Sequence, residues 1–432
     1  MESIWQYDAK LPGFATLQKP IKTDVLIIGG GMAGLLCARK LQDAGVDYIL
    51  CEANTISGGI TKNTTAKLTI QHGLCYHKLI KAFGTETAQL YLQANQAALS
   101  KFHDLCPKLD CGYSRQTSWV YTRDDPNKLE KELKALDSLG FPALFRSDLP
   151  LPLPTAGAVG FPDQGQFHPL KFLAALTSDL HIFEHTPIRS LSPGKAVTDN
   201  GAITANAIIV ATHFPLLKFR GSYYLKQYQH RSYCLALENC QIPDGMYADD
   251  NSAGLSFRSH GNRLILGGGG HRTGKSGGGW AEPEAFARKH YPGAVIRARW
   301  AAQDCMTLDG IPYIGRYSPG TPDLYVATGF NKWGMTSSMV AAQILTDQIC
   351  GIDNPYAEIF SPSRSILRPQ LAVNILESTA NLLRFGKKRC PHLGCALKWN
   401  PAERTWDCPC HGSRFEENGK LIDNPATKDL NS

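Results

Sequence analysis

Near its C-terminus the chain reads Cys390-Pro-His392-Leu-Gly-Cys395 and then Cys408-Pro-Cys410-His411-Gly-Ser413. The pattern is Cys-x-His, a gap of 15 residues, and Cys-x-x-His. Thiolates and imidazoles bind borderline-soft metals. Two of each suit a [2Fe–2S] centre in which Cys390 and Cys408 hold one iron and His392 and His411 the other. The same set also suits zinc, and a degenerate, metal-free site is a third reading. Zinc fingers of this composition usually pair Cys with Cys and His with His. Here each box holds one of each, which favours iron and sulfur.

A second constellation lies near the other end. Gly29-x-Gly31-x-x-Gly34 directly follows Asp24-Val-Leu-Ile-Ile28 and precedes apolar residues at helical spacing, Leu35, Leu36, Ala38 and Leu41. In a strand–turn–helix unit the first glycine permits the tight turn and the second lets the backbone approach a pyrophosphate. The third lets the helix pack on the strand, whose first amides then face the phosphates. A second strand, Asp47 to Cys51, ends in Glu52, 18 residues past Gly34 and placed to accept hydrogen bonds from a ribose. This is a dinucleotide site. Gly267 to Gly270 also follows a strand, but His271-Arg-Thr-Gly-Lys275 has no helical periodicity. A separate nicotinamide domain is therefore not expected, and electrons should come from an organic substrate.

The elements that position these residues alternate between helix and strand. Asp125 to Leu139, with Pro126 near its start, predicts a surface helix, and Leu149 to Pro154 a loop. Ala207 to Thr212, Arg263 to Gly267 and Leu324 to Thr328 read as buried strands, the last followed by Gly329 and a helix from about Thr336 to Ile349. Gly267 to Gly279 holds eight glycines and reads as a flexible or tightly turned loop. Phe360 to Arg364 reads as a linker and Leu371 to Phe385 as one helix.

Composition bounds the rest. The chain has 432 residues, 43% of them apolar and 19% charged, which predicts packed cores and excludes a disordered chain. Its net charge is +7, of which +4 comes from residues 361–432, with 11 basic and 7 acidic residues. Without a basic run of five or more, nucleic-acid binding is not expected. No run of 18 apolar residues predicts a transmembrane segment. Residues 1–8 lack the pattern of a secretory signal. The 13 cysteines are an odd number, which argues against an extracellular disulfide framework. The expectation is a cytoplasmic protein.

Four stretches resemble the FAD-dependent oxidoreductases related to glycine oxidase, sarcosine oxidase and D-amino-acid oxidase. Gly58-Gly-Ile-Thr61 through Thr64-Thr65-Ala66-Lys67 resembles their flavin-lining segment, and Ile208-Ile-Val-Ala-Thr-His213 the strand that closes the FAD domain. Asp309-Gly-Ile-Pro-Tyr-Ile-Gly315 resembles their Asp-Gly-x-Pro-x-Ile-Gly loop, and Gly329-Phe-Asn-Lys-Trp-Gly-Met-Thr336 the late glycine loop whose helix start faces the flavin ring. The two Cys/His boxes resemble a Rieske domain. That resemblance implies a disulfide between Cys395 and Cys410, a Ser413 hydroxyl on a bridging sulfide, and a covering loop at Pro425. Phe415 stands where many Rieske proteins carry a Tyr, which implies a lowered potential. The strands that usually precede the first box are not visible, so the domain is expected to be shortened.

The implied fold is α/β, a Rossmann-like FAD-binding domain interleaved with an α+β substrate domain, plus a small β-rich Rieske-like C-terminal domain. Residues 1–360 are the flavoprotein, with FAD-binding parts near 20–110, 156–214 and 305–350 and substrate-domain parts near 111–155 and 215–304. Residues 361–389 are linker and helix, and 390–432 the minimal Rieske domain. The implied cofactor contacts are Gly29, Gly31, Gly34, Glu52, Thr65, Ala66, Gly315, Gly329, Gly334, Met335 and Thr336. Candidate catalytic residues are Tyr233, His271, Lys332 and Trp333. Arg231 and Arg272 join them as candidate substrate contacts, and Gln71-His72 as a flavin border. Ile265 replaces the lysine that activates oxygen in related oxidases, which tilts toward a dehydrogenase, and Cys305 reads as an ordinary buried cysteine. The resemblance implies oxidation of an amine or amino acid, with electrons passing from FAD through the cluster to a soluble carrier such as a ferredoxin or flavodoxin. The alternatives are a reductase running in the opposite direction and a non-catalytic redox sensor. The cationic run Arg384, Lys387, Lys388 and Arg389 reads as a solvated helix end or, more sharply, as a dock for an acidic carrier.

Overall fold

The run at residues 24–28 is the buried end of a strand, Ile21–Ile28, in a computed structural model that describes residues 2–384 and 388–430. Phe385, the expected helix end, and Lys387 of the basic run lie outside the described residues. Ile21–Ile28 pairs in parallel with Tyr48–Cys51 on one side and Gly201–Val210 on the other. The sheet continues through Leu324–Thr328 to Tyr313–Arg316 at one edge and to Ile182–Phe183 at the other. Its central strands are apolar on both faces because both are covered. Val25, Ile27 and Ile209 pack against helices Met32–Asp43 and Gly334–Ile349. Leu26, Ile28, Ile208 and Val210 pack against Tyr223, Tyr313 and Tyr317. The expected helix at 125–139 is Pro126–Ser138, with Asp125 as its cap, accepting from the Asn127 amide at 3.1 Å.

A second, nine-stranded sheet contains the long strand Gln227–Glu238, which pairs with the edge strand Val295–Thr307 and with Arg263–Arg272. Strand Gly157–Gln166 belongs to this sheet, although the sequence reading put residues 156–214 with the FAD-binding parts. The glycines expected to form a loop also depart from expectation: Gly267 to Gly270 continue the strand to Arg272, and only then does the chain turn. A side chain on Gly268 would press on Leu255, and one on Gly270 on the Ser252 carbonyl. Glycine here permits close strand packing.

Helix Pro369–Leu382 leads to the C-terminal unit. There Lys398–Asn400, Thr405–Asp407, Arg414–Glu416 and Leu421–Asp423 form a four-stranded antiparallel sheet. Between helix Pro369–Leu382 and the first Cys/His box there is no strand among the described residues; the C-terminal sheet is made by residues between and after the boxes. No helix among the described residues is long and apolar enough to cross a membrane.

Candidate functional site

The glycine turn opens onto a cavity of about 1520 Å³ that runs between the two sheets to the C-terminal unit. Gly29 has φ +111°, a conformation that suits glycine. A Cβ on Gly34 would overlap the Gly29 carbonyl oxygen, so the helix can approach the turn only without one. At Gly31 the nearest atom to a Cβ would be Thr61 Oγ1 at 3.4 Å, and the residue lines the cavity. That is the open cradle a pyrophosphate needs. Glu52 accepts from the Gly30 amide at 2.7 Å and the Asn54 amide at 2.9 Å, and its carboxylate faces the same cavity with acceptor capacity to spare. The residues present fit FAD.

Thr65, Gly329, Gly334 and Met335 also line the cavity. Ala66, Gly315 and Thr336 do not. Ala66 is buried, its carbonyl accepting from Arg258, and Gly315 backs onto Pro362 and Gln348. The Thr336 hydroxyl bonds the Thr69 carbonyl and His72 Nε2, each at 3.0 Å. His72 borders the cavity, stacked on Trp333 with centroids 5.3 Å apart, and burial pushes its imidazole down to about 3, so it stays neutral. Gln71 is buried and donates to the Val159 carbonyl at 2.7 Å. Cys305 is buried and burial pushes its thiol up to about 12. Ile265 is buried in the second sheet.

The catalytic candidates divide. Lys332 and Trp333 reach the cavity. Lys332 has φ +73°, and its ammonium donates to Ser232 Oγ at 3.2 Å and the Ser252 carbonyl at 2.8 Å. Tyr233 and His271 stack on each other outside the cavity, and the Tyr233 hydroxyl accepts from Asn400 at 3.3 Å. Arg231 is committed to a buried ion pair with Glu403. Arg272 donates to Asn374 at 3.1 Å and lies over the Tyr228 ring. Three of these side chains therefore hold the C-terminal segment through Glu403, Asn400 and Asn374. The sequence reading missed Lys67, quoted in the flavin-lining stretch but not singled out. It lines the cavity, has no ion-pair partner among the described residues, and burial pushes its amine down to about 7.

The two boxes close in the same way. In the first, the Cys390 amide donates to the Cys395 carbonyl and the Gly394 amide to the Cys390 carbonyl, both at 2.9 Å. In the second, Cys408 donates to Ser413 at 2.8 Å and Gly412 to Cys408 at 2.9 Å. Gly394 and Gly412 have φ +80° and +83°, the left-handed turn that glycine supplies. Cys390, His392, Cys408 and His411 are all buried. His411 Nε2 meets the Tyr224 carbonyl at 3.0 Å, which makes it the N–H nitrogen, and both Nδ1 atoms are buried with no hydrogen-bond partner. Orphaned imidazole nitrogens beside buried thiols fit iron ligation. A single ion does not fit as well. Among the described residues the cysteines close enough to share one ion are Cys395, Cys408 and Cys410, a set without either histidine, and Cys395 and Cys410 form a disulfide. The Ser413 hydroxyl accepts from the Ala426 amide at 2.9 Å, which anchors the loop that carries Pro425.

This unit is docked on the body. Phe214, four residues past the central strand Gly201–Val210, sets its ring edge-on to His392 and His411 at 6.0 and 6.2 Å. Gln303 donates to the Gly412 carbonyl at 2.9 Å and Asn424 to the Thr212 carbonyl at 2.7 Å. Leu421 to Asn424, Ala426 and Thr427 form part of the cavity wall.

Comparison with known proteins agrees with this geometry. The family description FAD dependent oxidoreductase matches residues 24–348, and that of the Rieske [2Fe-2S] domain matches residues 366–432. The chain is 34% identical to the Rieske 2Fe-2S iron-sulfur protein YhfW of Bacillus subtilis (strain 168), over 99% of this chain and 97% of that one. It is 23% identical to the gamma-glutamylputrescine oxidoreductase of Escherichia coli (strain K12), over 79% of this chain and 87% of the other. The fold is similar to that of glycine oxidase from Geobacillus kaustophilus, with a TM-score of 0.66, 22% identity and coverage of 80% of this chain and 99% of that one.

Proposed function

This chain belongs to the FAD dependent oxidoreductase family and carries a Rieske [2Fe-2S] domain, and we propose from that premise that it is a dehydrogenase for an amine or amino acid whose electrons leave through the Rieske domain to a one-electron carrier. The observation that carries this reading is the single cavity with the glycine turn at one end and the loop 421–427 of the Rieske domain in its wall. When bound, the flavin accepts a hydride and the cluster accepts single electrons. The chain's own residues prepare the rest. The Gly29–Gly34 turn and Glu52 would hold the dinucleotide, and Cys390, Cys408, His392 and His411 the cluster. Small residues (Ser232, Cys234, Gly268, Ala301 and Ala302) line the chamber together with Leu255, Trp280 and Trp333, and its open volume favours an enzyme over a sensor filled with bulky apolar side chains. An amine must lose its proton before it gives up hydride, and Lys67, partly neutral near pH 7, is the cavity-facing base suited to take it. The amine or amino-acid class draws on glycine oxidase and gamma-glutamylputrescine oxidoreductase.

The test is an anaerobic screen of amines and amino acids for flavin bleaching, followed by low-temperature EPR and an iron and zinc assay on the same sample. The expected result is about two irons per chain and a rhombic Rieske signal that grows as substrate bleaches the flavin. Zinc in place of iron, or rapid peroxide formation in air with no cluster reduction, would overturn the reading.

A further inference from the structure

Helix Pro369–Leu382 is amphipathic in the reverse sense. Apart from Thr379, which is exposed, its main polar side chains face the protein: Asn374 and Asn381 are 2% and 3% exposed, and Glu377 is paired with Lys275. Asn374 accepts from Arg272 at 3.1 Å and donates to the Leu225 carbonyl at 3.0 Å, so these are tailored contacts. Its aliphatic side chains face outward. Leu376 is 69% exposed, Val373 and Leu382 45%, and Ile375 43%, while Leu367 and Leu383 beside the helix reach 81% and 65%. A surface helix of a water-soluble domain shows the opposite arrangement. An exposed patch of this kind marks an interaction site.

The charge around the helix identifies the occupant. From Ile359 to Ala402 the chain has seven lysines and arginines and one acid, Glu377. That acid is turned inward and neutralised. Arg384, Lys388 and Arg389, just past the helix, are exposed. Aliphatic side chains over the length of a helix, with cations at its end and no free carboxylate, match an anionic lipid surface. The apolar groups enter the acyl boundary and the cations meet the headgroup phosphates. At 14 residues the helix spans about 21 Å, too short to cross a bilayer, so it would lie along the interface.

We propose that this helix is a monotopic anchor that seats the protein on an anionic membrane. The first Cys/His box sits directly behind it, since the Ala396 amide donates to the Asn381 carbonyl and Arg389 to the Leu382 carbonyl, at 3.0 and 2.9 Å. Seating the helix therefore fixes the Rieske domain at the bilayer surface. The proposal is independent of which substrate the flavin site takes.

The test is flotation of the full-length holoprotein with vesicles of phosphatidylglycerol and phosphatidylcholine, against vesicles of phosphatidylcholine alone. The expected result is flotation with the anionic vesicles and about tenfold less with the neutral ones. The double variant Leu376→Glu/Leu383→Glu replaces exposed side chains and should keep flavin and cluster absorbance while losing flotation. A Leu376→Trp variant should shift its emission to the blue on the anionic vesicles. A wild type that floats with neither vesicle, or a double variant that floats as well as wild type, overturns the proposal. So does a lipid-free dimer that the double variant splits, which would make the face a contact between two copies. Binding of an acidic ferredoxin that the double variant abolishes, with no vesicle binding, would also overturn it.

Discussion

A methyl group added at Gly34 and one added at Gly31 meet different surroundings. At Gly34 it overlaps the Gly29 carbonyl oxygen; at Gly31 it meets only Thr61 Oγ1, on a backbone with φ −83° that alanine adopts freely. Gly34→Ala is therefore expected to destabilise the apoprotein. Gly31→Ala should leave apoprotein stability within about 0.5 kcal/mol and yet weaken FAD binding about tenfold or more, because the methyl projects into the cradle. Thermal melts of both apoproteins with FAD titrations check this. Lys67 gives a pH prediction. Substrate-dependent flavin bleaching should rise through about pH 7 as the amine loses its proton, and Lys67→Met should remove that limb. The folded state disfavours the charged amine, so wild-type stability rises as pH climbs from about 7 toward 10.5. Lys67→Met should then exceed wild type in melting temperature below pH 7. The glycine spacing was readable because its consequences are local. The fates of Arg231, Tyr233 and Arg272 were not, because their partners lie 172, 167 and 102 positions further along the chain.

One buried cation ties three of the four C-terminal strands and the turn at Glu403 together. Arg414 bonds Asp407 and Asp423, each at 3.1 Å, and Glu403 at 2.7 Å, while Glu403 also reaches Arg231 of the body. Arg414→Met leaves these carboxylates without their shared partner, at a cost of about 3–5 kcal/mol. Cluster absorbance should melt earlier in this variant while the flavoprotein transition changes little. Burial alone would raise the Glu403 carboxyl, but Arg231 and Arg414 hold it below its ordinary 4.5. Its contribution to docking is then fully present above about pH 4.5 and is lost as pH falls through the lower folded value. Limited proteolysis across that range should release the C-terminal unit before the body unfolds. Alternation could not reveal these strands, since each is three residues long. The helix before them was legible as one helix, but the sequence did not say which of its faces meets the body, and the aliphatic face points outward. The same limit applies to Gly267–Gly270, whose composition suggests a loop and whose neighbours Leu255 and Ser252 require a strand.

At the scale of the whole molecule, the cavity and the cluster boxes meet around the end of one strand. Gly201–Val210 runs through the centre of the parallel sheet, and the residues that follow it, Thr212 and His213, line the cavity. Phe214 then contacts both cluster histidines. Docking of this kind was not readable from sequence, because it depends on Gln303, Tyr224 and Thr212 meeting residues far along the chain. It makes a strong prediction about electron exit. His411→Ala removes a proposed ligand, one that does not line the cavity and whose ring is held by the Tyr224 carbonyl. The variant should lose the Rieske signal and part of its iron, while substrate still bleaches the flavin anaerobically at the wild-type rate. Turnover with a one-electron acceptor should fall about tenfold or more, since the route through the cluster is gone, while turnover with a two-electron dye that reaches the cavity should persist. Equal turnover of wild type and His411→Ala with the one-electron acceptor would take the cluster off the path and leave the Rieske domain as a wall of the cavity alone.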